Sequence, residues 1–188
     1  MKEQLMFKQL PRPFNVFALA LLVIGAQVFA PTQAVAQAPQ PVNFSLRSVD
    51  GGTISSEMLR GDVVVLAFGA SWLPLSRTQV QGVQKLADEY ADRNLRVYWV
   101  STDSESPKSK NYATDEQLRA FAHRNQLKIA VLRDPDGELF KHMGVERNVL
   151  PALVIINKDG LVDGAPIGGL DPEGNLVEQL APRLNKLL

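Results

Sequence analysis

Short, nearly continuous apolar runs punctuate this chain at Val63 to Phe68, Leu95 to Val100 and Ala152 to Ile156. Runs of this length, rich in β-branched residues, suit strands buried on both faces of a sheet. Between them the period changes. From Leu75 to Arg93, Val80, Val83, Leu86, Ala87 and Tyr90 recur at helical spacing with charges on the other face, which predicts an amphipathic helix. Thr114 caps a second helix, with Glu116 and Gln117 in its first turn and Leu118, Phe121 and Ala122 on its apolar side. Ile129 to Leu132 reads as a short strand. Asp134-Pro135-Asp136-Gly137 opens a short helix that reaches Met143. Asn157-Lys158-Asp159-Gly160 is a hairpin turn, after which Leu161 to Ile167 pairs back. Pro172 opens a last helix, with Leu176, Val177, Leu180, Leu184 and Leu187 on one face. Ahead of all this, Val42 to Leu46 alternates, Asp50-Gly51-Gly52 turns and Thr53-Ile54 returns, a hairpin. Ser55 then caps a helical turn with Met58 and Leu59 packed inward, and Arg60-Gly61-Asp62 breaks it. The order predicts an α/β domain: a central mixed sheet with helices on both faces and an N-terminal hairpin.

The first residues follow a different logic. Lys2, Lys8 and Arg12 precede an almost wholly apolar run from Phe14 to Ala30, and Ala34-Val35-Ala36 supplies small residues at cleavage spacing. This is the pattern of a secretory signal peptide over residues 1–36. The expectation is an exported, periplasmic protein cleaved after Ala36, with residues 37–41 as a flexible linker and residues 42–188 as the domain. The apolar run is at the short edge for a bilayer span, roughly 17–25 residues, so a membrane contact would come only through this segment if it stayed uncleaved.

Composition narrows the chemistry. The chain has 188 residues, with 20 Lys+Arg against 20 Asp+Glu. That balance gives no electrostatic reason to expect nucleic acid or an anionic membrane as partner. It has no cysteine at all, although export permits disulfides. Thiolate nucleophiles and thiolate metal ligands are thereby both excluded.

Three local words, in order, carry a family resemblance. The first is Ala70-Ser71-Trp72-Leu73-Pro74-Leu75-Ser76-Arg77 after the first buried strand. The second is Asp134-Pro135-Asp136-Gly137 ahead of Gly144-Val145. The third is Leu150-Pro151 before an apolar strand and Asn157-Lys158-Asp159-Gly160. From Val42 to Leu188 the chain resembles the TlpA/ResA-like thioredoxin proteins of the redoxin, or AhpC-TSA, group. The resemblance implies a thioredoxin-like fold and thiol–disulfide oxidoreduction. It puts a paired-cysteine motif at residues 73–76, a cis-proline at Pro151 facing it, and a substrate groove bordered by Trp72, Leu73, Pro74, Ser76, Leu150 and Pro151. Here Leu73 stands at the attacking position and Ser76 at the resolving one. Ala67 stands where many relatives carry a polar or acidic residue beneath the pair. Thiol–disulfide exchange requires a thiolate that attacks sulfur, and peroxidase chemistry requires a cysteine to oxidise. The expectation is a non-catalytic peptide- or protein-binding or scaffold module with no catalytic residue, no cofactor and no metal, whose partner is an exported protein or peptide. The alternative is a member with residual or external-thiol activity, with glutathione bound at the Leu73–Ser76 helix start.

Each remaining candidate has a plainer reading. Ser76 as nucleophile needs a neighbouring base, and the two histidines, His123 and His142, fall on peripheral helices by the same resemblance. They read as surface residues rather than metal ligands. Asp134, Asp136 and Glu138 lack the closing glutamate of a calcium loop and read as a turn with a helix cap. Trp72 to Leu75 is either packing or an exposed apolar contact surface. Ser101 to Ala113 is polar, long for a connection and flexible by composition.

Overall fold

The computed structural model describes residues 40–146, 149–169 and 174–188. The signal segment, its cleavage site, the start of the linker and Pro172 lie outside the described residues. The seven residues of β3 (Val63–Gly69) are all buried, and the molecule is organised around them. Strand β4 (Leu95–Ser101) lies parallel to β3, and β5 (Val131–Arg133) parallel to β4. On the other side β6 (Ala152–Ile156) runs antiparallel to β3, and β7 (Ile167–Gly168) antiparallel to β6. The order is β5-β4-β3-β6-β7. A separate hairpin, β1 (Ser45–Arg47) with β2 (Thr53–Ser55), pairs Leu46 with Ile54.

Side chains on a strand alternate between faces, and β3 feeds two cores. Val63, Val65 and Ala67 pack into a cluster with Val80, Val83 and Leu86 of α1 (Pro74–Glu89). Leu118 and Phe121 of α2 (Asp115–Arg124) and Leu180 and Leu184 of α4 (Leu176–Leu187) complete it. Val64, Leu66 and Phe68 pack the other way, against Leu139 and Phe140 of α3 (Glu138–His142) and against Leu46 and Leu59. With both faces covered, nothing polar is required along β3, which accounts for its unbroken apolar run.

Several elements differ from expectation. The turn after β2 is a 3-10 helix (Glu57–Leu59); Ser56 sits at its N-cap without a side-chain capping bond, its hydroxyl accepting from the Phe44 amide instead, and Ser55 belongs to the strand. Leu59 is buried there, but Met58 is 66% exposed, because so tight a turn buries only one of two adjacent side chains. The return from the Asn157–Gly160 turn is a single bridge from Val162 to Ile156 before β7, rather than a strand from Leu161. The last helix is capped by Asn175, whose side chain accepts from the Val177 amide at 3.1 Å. The Thr114–Gln117 capping box forms as expected, with both reciprocal bonds present.

Two features aim three segments at one edge. Parallel pairing sets Gly69 opposite Ser101, so the β3–α1 loop and the chain after β4 leave the sheet together. Antiparallel pairing sets Ala152 opposite Phe68, so residues 149–151 arrive at the same edge. The Leu150–Pro151 bond is cis.

Candidate binding site

The β3–α1 loop is held from beneath by buried polar groups. Helix α1 starts on an extended Leu73 with Pro74 at its first position, where proline's missing amide costs nothing. The first amides have no side-chain cap. Ser76 is fully buried, and its hydroxyl accepts from the Ala70 amide at 3.1 Å. One turn on, Gln79 is 1% exposed. Its amide nitrogen donates to the Phe68 carbonyl and to the Ala152 carbonyl, both at 3.1 Å, and its oxygen accepts from the Trp99 indole at 3.0 Å. Gln79 thus ties β3, β6 and β4 at the edge where the loops emerge. The packing requires glycine at Gly69: a Cβ there would lie 2.7 Å from Gln79 Oε1 and 2.9 Å from Ser76 Oγ.

Asp103 fixes the other side of the loop. It is 1% exposed, and its carboxylate accepts from the Ser71 amide (2.8 Å), the Ser71 hydroxyl (2.9 Å) and the Ser101 hydroxyl (2.8 Å). These bonds satisfy a buried anion without a paired cation and set the backbone ahead of Trp72, which is 54% exposed.

Trp72, Leu73 and Leu150 line one cavity of about 570 Å³. Its opposite wall comes from the residues after β4, including Thr102, Ser104, Ser109 and Asn111, and from the start of α3, including Asp136 and Phe140. The polar stretch after β4 is ordered by its own bonds. The Ser104 amide donates to the Asn111 carbonyl at 2.8 Å, and the Ala113 amide to the Ser104 carbonyl at 3.1 Å. An ion network braces it from outside: Arg47 reaches Glu105 at 2.6 Å and Asp115 at 2.5 Å. The buried Arg133 donates to the Ala113 carbonyl at 3.0 Å and lies 3.4 Å from Glu105.

Of the six groove residues expected from sequence, Trp72, Leu73 and Leu150 meet at the cavity. Pro74 is exposed on the helix start. Ser76 and Pro151 are buried and cannot present their side chains to a partner; they support the groove instead of lining it. Ala67 is a core side chain on the α1 side of β3, with Trp99 and Leu153 beside it in register, and the buried polar group beneath residues 73–76 is Gln79. A carboxamide takes up no proton near neutrality, so this position supplies no acid–base chemistry. Gln79 had a signal in the sequence, since Ser76 and Gln79 are polar residues on the apolar stripe of α1 that continues through Val80 and Val83. His123 and His142 are both exposed. Among the described residues no group of three or more His, Cys, Asp or Glu is placed to hold a metal ion. The Asp134 carboxylate accepts from the amides of Leu139 and Phe140, the expected helix cap.

The family model described as AhpC/TSA matches residues 36–165. The chain belongs to the AhpC/TSA family. Within it, the chain is similar to the thioredoxin-like protein YneN of Bacillus subtilis, 27% identical over 136 residues that cover 71% of this chain and 73% of that one. Two solved structures share its thioredoxin-like fold. The exposed lipoprotein thioredoxin of Streptococcus pneumoniae superposes with a TM-score of 0.58 at 25% identity, covering 75% of this chain and 99% of the other. A secreted disulfide oxidoreductase of Mycobacterium tuberculosis gives a TM-score of 0.60 at 19% identity, covering 77% and 96%. This AhpC/TSA chain is therefore a thioredoxin-like protein without cysteine, and leucine and serine hold the two positions the resemblance assigns to the pair.

Proposed function

We propose that this chain is an exported, non-catalytic member of its family that binds a peptide or protein segment across Trp72, Leu73 and Leu150. One observation carries the reading. The edge of the sheet holds a cavity lined by an exposed tryptophan, Leu73 and Leu150, while the chain holds no thiol to do chemistry there. An exposed aromatic residue over a concave surface is a usual anchor for recognition. Export is supported by the signal pattern of residues 1–36 and by the two structural relatives, one a secreted protein and the other an exposed lipoprotein. The external-thiol alternative finds little support in the site: Ser76 is fully buried, and no basic residue lines the cavity, among the described residues, to pair the two carboxylates of glutathione.

The test combines chemistry and capture. Purified protein should reduce no insulin disulfide, consume no peroxide and conjugate no glutathione above a blank. Turnover that scales with protein and survives removal of contaminating thiols would overturn the non-catalytic reading. Wild-type protein should retain exported polypeptides that Trp72→Ala loses with its fold intact by circular dichroism. Equal retention by both would move the binding surface away from the cavity.

A further inference from the structure

The acidic groups around the cavity differ in how far they are committed. Asp103 is satisfied by Ser71 and Ser101. Asp134 caps α3. Glu105 is paired with Arg47. Asp136, alone among these four, makes no hydrogen bond or ion pair with any described residue, and it is exposed in the cavity wall. The cavity therefore offers an uncommitted carboxylate and the exposed indole of Trp72, with hydroxyl and amide side chains between them and no basic residue among the described residues that line it. Lys108 and Lys110 are exposed on the same polar stretch but do not line the cavity. They offset the long-range field, so any attraction must act through direct contact with Asp136 instead of through steering at a distance.

We infer that the cavity selects a basic side chain: the segment bound across Trp72 places a lysine or arginine between the Trp72 ring and the Asp136 carboxylate. This rests on the binding reading above and names the class of segment it recognises. A cation gains from an aromatic face and from a carboxylate together, and loses little when water is expelled, because the hydroxyl and amide groups of Thr102, Ser109 and Asn111 can replace its hydration. An acidic side chain in the same place would meet Asp136 with nothing to offset it. A neutral one would leave that carboxylate partly desolvated and unpaired.

Selection of a displayed random heptapeptide library on the mature protein tests this. Enriched peptides should share one lysine or arginine position. An enriched arginine peptide should bind, by isothermal titration calorimetry, about tenfold or more tighter than the same peptide with citrulline in place of arginine. Asp136→Asn should remove that difference without lowering the thermal midpoint, and Trp72→Ala should remove binding of both. Enriched peptides without a basic position, or an unchanged arginine preference in Asp136→Asn, overturn the inference while leaving the groove in place. Failure to enrich any sequence sensitive to Trp72→Ala overturns the groove itself.

Discussion

Leu73 and Ser76 occupy the start of α1, where the helix dipole favours a negative group. If residues 73 and 76 are the paired positions that the resemblance assigns, the chemistry is missing at the level of two side chains. The double variant Leu73→Cys/Ser76→Cys should form an intramolecular disulfide, read as the loss of two hydrogens by intact mass and reversed by dithiothreitol. It should reduce insulin where the parent does not. Two free thiols persisting under a mild oxidant would show that residues 73 and 76 are not the paired positions. Gln79 sets a second expectation at this scale. Gln79→Leu strands two carbonyls and the Trp99 indole, at a cost of about 1–3 kcal/mol for each group left unsatisfied. Gln79→Glu faces the carbonyls of Phe68 and Ala152 and can donate to one of them only when protonated, so its folded pKa is pushed up. The protonated form is then the folded one. Stability is fully present at low pH and falls as pH rises from the unfolded value, near 4.3, through the raised folded value. Urea midpoints that do not fall across that rise would contradict the brace.

At the scale of elements, the stretch after β4 shows where a sequence window stops being informative. Its composition reads as a mobile polar connection, yet it is a wall of the cavity. The residues that brace it, Arg47 on β1 and Arg133 on β5, lie tens of positions away. Strand and helix periods, the Thr114 cap and the turn at Asn157 are local signals and were legible. The position of Pro151 was legible through the family words. The Asp103–Ser71 bonds, the double carbonyl contact of Gln79 and the presence of Asp136 and Trp72 on one cavity depend on how the sheet edge assembles and have no local signature. The brace carries its own prediction. The hydrogen bond from Arg47 holds the Asp115 carboxyl below its ordinary value, against a smaller opposing effect of burial. A depressed folded value means stability that is present above the unfolded value, near 3.9, and is lost as pH falls through the lower folded one. Arg47→Ala should therefore cost stability in full at neutrality, by a small amount because the pair is largely solvated, with the cost fading as pH falls through the carboxyl's range and acid unfolding beginning at higher pH. An unchanged acid midpoint would remove the network from any role in holding the wall.

For the whole molecule, the expected product of export begins at Gln37, and intact mass of the secreted protein checks it. A species that retains Met1 and stays with membranes would mean an anchored protein. The larger consequence comes from the missing cysteines. A dithiol site exists in two forms, and what it holds depends on which form its surroundings impose. A surface built on Leu73, Trp72 and Leu150 has a single form. If it binds a segment as proposed, its occupancy follows that segment's concentration and rate of release, with no disulfide state for the glutathione balance or a passing oxidase to change. In a compartment where neighbouring proteins are repeatedly oxidised and reduced, such a molecule keeps time by dissociation alone.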